Sequence, residues 1–222
     1  NIFTSKYQPS GFSNYKTLNV HYLNYKIHPN WNIQTLNVAD GFQKSGGGSN
    51  YKTTFMRFTS GGNITYNKNE WTAIMMAYYQ YGKDSIGNKI SAYFLNPELK
   101  WTKKAWTVRL GAEVMSGQDA KKPFDKDNSF VALYGVAHRF NGNMDFFTTF
   151  PTDLNNAGLI NPYLFFWYQK NKLYLRMESH LFYSQNNFLQ DGAVIKKYMG
   201  FENDWRLNYK FTKDVELEYG AC

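Results

Sequence analysis

The feature that most limits what this chain can fold into is a period-2 alternation that runs through residues 195–211, breaks briefly and resumes. Ile195, Met199, Phe201, Trp205, Leu207, Tyr209 and Phe211 fall on one side, while Lys196, Tyr198, Gly200, Glu202, Asp204, Arg206, Asn208 and Lys210 fall on the other. Successive side chains of a strand point to opposite faces, so the spacing predicts a strand. Thr212, Lys213 and Asp214 interrupt it. Val215, Leu217, Tyr219 and Ala221 then resume it against Glu216 and Glu218, as in a hairpin. Globular strands usually run about 5–6 residues, and a tilted bilayer crossing takes about 9–11. Strands of this length fit a membrane wall with water on the charged side. A Lys or Arg turned to lipid near the midplane would cost roughly 2–4 kcal/mol, so the facing is strongly specified. Lys197 and Asn203 share the apolar side, and Asn203 is a polar intruder there.

Strands are expected at residues 16–27, 31–43, 51–67, 70–82, 88–102, 105–116, 158–169, 172–184, 193–211 and 214–222. Tight connections fall at His28-Pro29-Asn30, Lys68-Asn69, Lys103-Lys104, Lys170-Asn171 and Thr212-Lys213. Longer polar ones occupy 43–50, 83–88, 117–157 and 185–192. Short and long alternate throughout, the layout of an outer-membrane barrel with short periplasmic turns and long outer loops. The expected fold is therefore all-β: an antiparallel transmembrane β-barrel, one domain over residues 1–222, about ten strands of it visible. Both ends would then lie outside, so the barrel is expected to lack at least one strand at each end.

Composition agrees. Aromatics make up 19% of 222 residues, yet mean hydropathy is −0.57, as in a wall with one wet face and one thin apolar band. No run of about 18 apolar residues exists to form a transmembrane helix. The net charge of +8 is scattered among acids rather than clustered, which points away from nucleic acid. Cys222 is the single cysteine, so no internal disulfide forms.

The stretch 130–147 has no clean strand period. Its Leu133, Tyr134, Gly135, His138, Phe140, Asn141, Gly142, Met144, Asp145 and Phe147 resemble an ordered string in the Bacteroidetes-type alginate export porin family. Met115-Ser116-Gly117 and residues 207–218 look like that family too. The resemblance covers residues from about 50 onward. It implies a bacterial outer-membrane barrel, surrounded by lipid and lipopolysaccharide, with an electropositive lumen that passes an anionic polyuronate. It implies no cofactor.

Candidate lumen residues are the inward charges Lys100, Arg109, Glu113, Arg176, Glu178, His180, Lys196, Glu202, Asp204, Arg206 and Lys210. Arginine suits carboxylates because its planar fork donates two parallel hydrogen bonds. Rings of such charges select ions. The plainer alternative is that acids and bases pair across strands merely to hold the wall. The 117–157 connection either folds into the pore, bringing His138, Arg139 and Asp145 to a constriction, or caps the barrel outside. Trp71–Tyr81 and Pro162–Tyr168 are apolar on both sides, so their inner faces are expected to meet a plug, a folded loop or a constriction.

Asp125-Lys126-Asp127-Asn128-Ser129 hints at a calcium loop but lacks Gly at the sixth position and Glu at the twelfth, so no metal is expected. Ser45-Gly46-Gly47-Gly48-Ser49 is followed by no Gly-Lys-Ser/Thr and is not a phosphate cradle. Ser179 points away from Glu178 and His180, so these three do not form a catalytic triad, and no enzyme is expected. Two functions stay open: a channel or exporter for small solutes such as anionic saccharides, and a closed structural or binding barrel that docks a partner protein or surface glycan.

Overall fold

The structure is a computed structural model that describes residues 15–43, 53–132, 142–144, 146–147 and 150–222. It is all-β, built on one antiparallel sheet of ten strands. The ten are β1 (Tyr15–His28), β2 (Trp31–Gln43), β3 (Thr54–Lys68), β4 (Trp71–Lys83), β5 (Lys89–Lys103), β6 (Trp106–Met115), β7 (Leu159–Lys170), β8 (Leu173–Ser184), β11 (Tyr198–Lys210) and β12 (Glu216–Ala221). Each neighbours the next, and the sheet is open, with β1 and β12 at its edges. β9 (Leu189–Gln190) and β10 (Ala193–Val194) form a separate small hairpin in the last long connection. The strand expected over 193–211 thus starts only at Tyr198. Asp191 and Gly192 take positive φ (51° and 79°) and fold the preceding residues into that hairpin instead.

The tight turns lie where the sequence places them. Asn69, Lys104 and Asn171 each adopt φ of 52–54°, the left-handed region asparagine enters most readily among side-chain-bearing residues.

Register partners define a level through the sheet: Trp31, Tyr66, Ala73, Leu99, Leu110, Leu164, Ser179 and Asn203. Trp31 begins β2, whereas Tyr66 is two residues from the hairpin end Lys68. Leu99 is four from Lys103, Leu164 six from Lys170 and Asn203 seven from Lys210. The hairpin ends therefore step by about one residue per strand. A step of about 3.3 Å per strand spacing of about 4.8 Å tilts the strands by roughly 35° from the perpendicular to the line of turns. Barrel closure requires a tilt of that size.

The outward face carries two aromatic belts. Trp31, Trp71 and Trp106 begin β2, β4 and β6, and Tyr66, Trp101 and Tyr168 stand two residues from the ends of β3, β5 and β7. Trp31–Tyr66 and Trp106–Tyr168 ring centroids are 4.6 Å apart. Phe58, Tyr81, Tyr93 and Tyr183 form the second belt, each ten residues from the hairpin end of its strand. Eight to ten residues at that rise and tilt separate the belts by roughly 22–27 Å, against an apolar band of about 25 Å in outer-membrane barrels. Between the belts, the outward positions of β3 to β8 and β11 hold no Asp, Glu, Lys or Arg. Asn203 among them is satisfied, donating to Ser179 Oγ at 2.6 Å.

The core lies on the other face. Phe130, Phe147 and Leu154 of the 117–157 connection pack on Ile90, Ala92, Met115, Leu159 and Phe182. This buries the inner face at the end of the long loops and leaves the outward side chains exposed.

Candidate functional site

The inward charges fall into layers when each is counted from the hairpin end of its strand. Lys100 is three residues above Lys103, Arg109 three above Trp106, Arg176 three above Leu173 and Arg206 four above Lys210. These make a basic layer. Above it, Glu98 and Glu178 stand at five, Asp204 at six, Glu113 and His180 at seven and Glu202 at eight. Lys100 opposes Arg109 directly, Arg206 opposes Arg176, and Asp204 opposes Glu178. Like charges set opposite one another weaken a sheet. A ladder built only to hold the wall would place opposite signs across strands.

Within these layers opposite signs meet along and diagonally across the strands, while Asp40 with Arg57 and Lys210 with Glu216 are directly opposed pairs outside them. Arg109 Nε donates to Glu98 Oε1 at 3.0 Å, and its Nη2 to Glu98 Oε2. Its guanidinium lies 5.2 Å and 5.0 Å from the Phe165 and Trp167 ring centroids. Tyr163 O–H donates to Glu98 Oε2 at 2.7 Å. Trp167 Nε1–H donates to Glu178 Oε1 at 2.9 Å, and Arg176 lies 3.8 Å from the same oxygen. The inner aromatics of β7 thus hold carboxylates and cover a guanidinium. Asn161 Nδ2 donates to Glu113 Oε2 at 2.9 Å, leaving its Oδ1 to pair with His180 Nδ1 at 3.1 Å. Arg206 is less confined, 41% exposed and 3.3 Å from Glu218.

Among the described residues, Gly142, Asn143 and Met144 bring the loop against this wall. Asn143 and Met144 N–H both donate to Glu202 Oε1, the latter at 3.0 Å, and Asn143 Nδ2 donates to Asp204 Oδ2 at 2.9 Å. Glu202 is 1% exposed. Gly142, at φ 90°, lies so close that a Cβ would sit 2.4 Å from Glu202 Oε1. Gln80 holds the loop a second time, accepting Val131 N–H at 3.0 Å and donating to Val131 O at 2.9 Å.

Most candidate lumen residues therefore share one face. Lys196 does not: it is exposed in the connection before β11, because that strand starts at Tyr198. Lys210 sits at the hairpin end, 4.0 Å from Glu216. His138, Arg139 and Asp145 lie outside the described residues, as do Leu133, Tyr134, Gly135, Phe140 and Asn141. Asp127 serves as a turn residue, its Oδ1 accepting Ser129 N–H at 2.9 Å. Among the described residues no group of three or more His, Cys, Asp or Glu could hold a metal.

Sequence reasoning missed Glu98, although it lies two positions from Lys100 and alternation alone assigns it to the same face. It also missed Asp40 and Arg57, whose carboxylate and Nη2 meet at 2.7 Å with Asp40 fully buried. Asp40 is the lone charge of β2, and Arg57 shares β3 with Lys68 at its hairpin end. Neither strand alternates cleanly, and only register brings the two together. Compared with protein-family models, curated proteins and solved structures, the chain matches none.

Proposed function

We propose that this chain forms part of the wall of a bacterial outer-membrane channel, a barrel whose charged face lines water. It passes small solutes, anionic saccharides among them. The observation that carries this reading is the two-faced sheet at one constant stagger. Charge is excluded from the outward band between the belts, and on β5, β6, β8 and β11 it gathers in like-signed layers on the other face. Lipid and lipopolysaccharide would surround the belts. The layering favours solute selection over mere wall support, since stacked rings of opposite sign make an ion meet each in turn.

Lys100 and Arg206 are the basic-layer members freest to meet a solute, for Arg109 is bound by Glu98 and covered by rings. Reconstitution into planar bilayers under a salt gradient tests the reading. Open channels with an anion-favouring reversal potential are expected, and Lys100→Glu with Arg206→Glu should move that potential toward cations. Absence of any current would favour the closed binding barrel. An unchanged potential in the double variant would remove these two residues from selection.

A further inference from the structure

The outward face changes character on β1 and β2. Register sets Thr17, Asn19 and His21 there beside Gly41, Ala39 and Asn37, with Thr35 opposite Leu23. Asn37 stands six residues above the hairpin end, four short of the second belt's ten, which puts the His21–Asn37 pair roughly 11 Å inside the apolar band. Neither side chain has a hydrogen-bond or ion-pair partner among the described residues. At nearly the same height on β8 and β11, Ser179 and Asn203 satisfy one another.

A register shift makes the difference. Tyr25 opposes Ile33 but His28 opposes Trp31, so β1 carries one extra residue near its turn. Without that bulge, Leu18, Val20 and Tyr22 would face Gly41, Ala39 and Asn37 and point outward. With it they turn inward, and Asn19 and His21 take their places. Bulges re-aim side chains in this way. Turning three large apolar groups away from hydrocarbon and two polar ones toward it is unfavourable unless something other than lipid covers them.

We infer that this patch, centred on His21 and Asn37, docks a second copy of the same chain. The amide and the neutral imidazole each carry a donor and an acceptor. About a two-fold axis, His21 of one copy and Asn37 of the other would therefore satisfy each other twice. The patch bears no formal charge to repel a copy. Its neighbours Ala39, Ser60 and Gly62 are small enough for close approach. The inference rests on the channel reading, since only beside hydrocarbon does the pair require cover.

The test is disulfide trapping of the full chain in lipid, in a Cys222→Ser background because Cys222 is free and exposed. Asn37→Cys should give a cross-linked dimer under mild oxidant, and outward-facing Leu175→Cys on β8 should not. In mild detergent the unmodified chain should have twice its monomer mass, falling to the monomer in His21→Leu/Asn37→Leu. A detergent-requiring chain that is monomeric, with no more trapping at Asn37→Cys than at Leu175→Cys, overturns this inference and leaves the channel reading standing. A chain monodisperse in buffer without detergent overturns both.

Discussion

At the scale of single residues, the loop's seat on the wall is the most exacting contact. Gly142→Ala would need φ 90° from a residue that avoids it, with a methyl group placed against the Glu202 carboxylate. It should release the 142–144 segment from Glu202 and Asp204, seen as faster amide exchange at Asn143 and Met144 and a larger conductance. Outward polarity yields to a mutant cycle. Ser179→Ala leaves the Asn203 amide unpaired and should cost about 1–3 kcal/mol in denaturant titrations, while Ser179→Ala/Asn203→Leu should recover most of that. Outside the strands, the Asp119 carboxylate accepts Lys121 N–H at 3.0 Å and Asn187 Nδ2 at 3.2 Å, which hold its pKa below the ordinary aspartate value. A lowered folded pKa means the contribution is complete above the unfolded value and lost as pH falls through the folded one. Exchange at the Lys121 amide should therefore quicken only in acid, below the usual aspartate range.

At the scale of elements, the hairpins carry the stagger. Lys104 takes φ 54° in the β5–β6 turn without asparagine's local hydrogen bonding to help it. Lys104→Gly should stabilise the fold by up to about 1 kcal/mol, read as a higher denaturant midpoint at unchanged slope. These turns and the facing of β6, β8 and β11 from Gly200 onward were legible in the sequence because period 2 is unambiguous where one side is charged and the other apolar. Tyr198, expected on the charged side, instead opposes outward Tyr183 because the register shifts before Gly200. On β4 and β7 both sides are apolar, so alternation is silent about which is inward. Tyr163, Phe165 and Trp167 acquire their roles only from Glu98, Arg109 and Glu178 on neighbouring strands. The charge layers were hidden for the same reason. Height in the wall depends on stagger, and stagger is a property of pairing rather than of any one strand.

At the scale of the whole molecule, everything depends on one face of this sheet meeting hydrocarbon and the other meeting water. Leu110→Arg, outward between the belts, should cost roughly 2–4 kcal/mol of stability in lipid, whereas inward Thr107→Arg should be tolerated. The most direct test is labelling of reconstituted protein by a membrane-impermeant maleimide, again with Cys222→Ser. Lys100→Cys should react readily, while Leu110→Cys should stay unlabelled and, once carrying a fluorophore, be quenched by lipids spin-labelled in their chains. Equal labelling at both positions, with no quenching at Leu110, would contradict a wall with lipid on one side and water on the other.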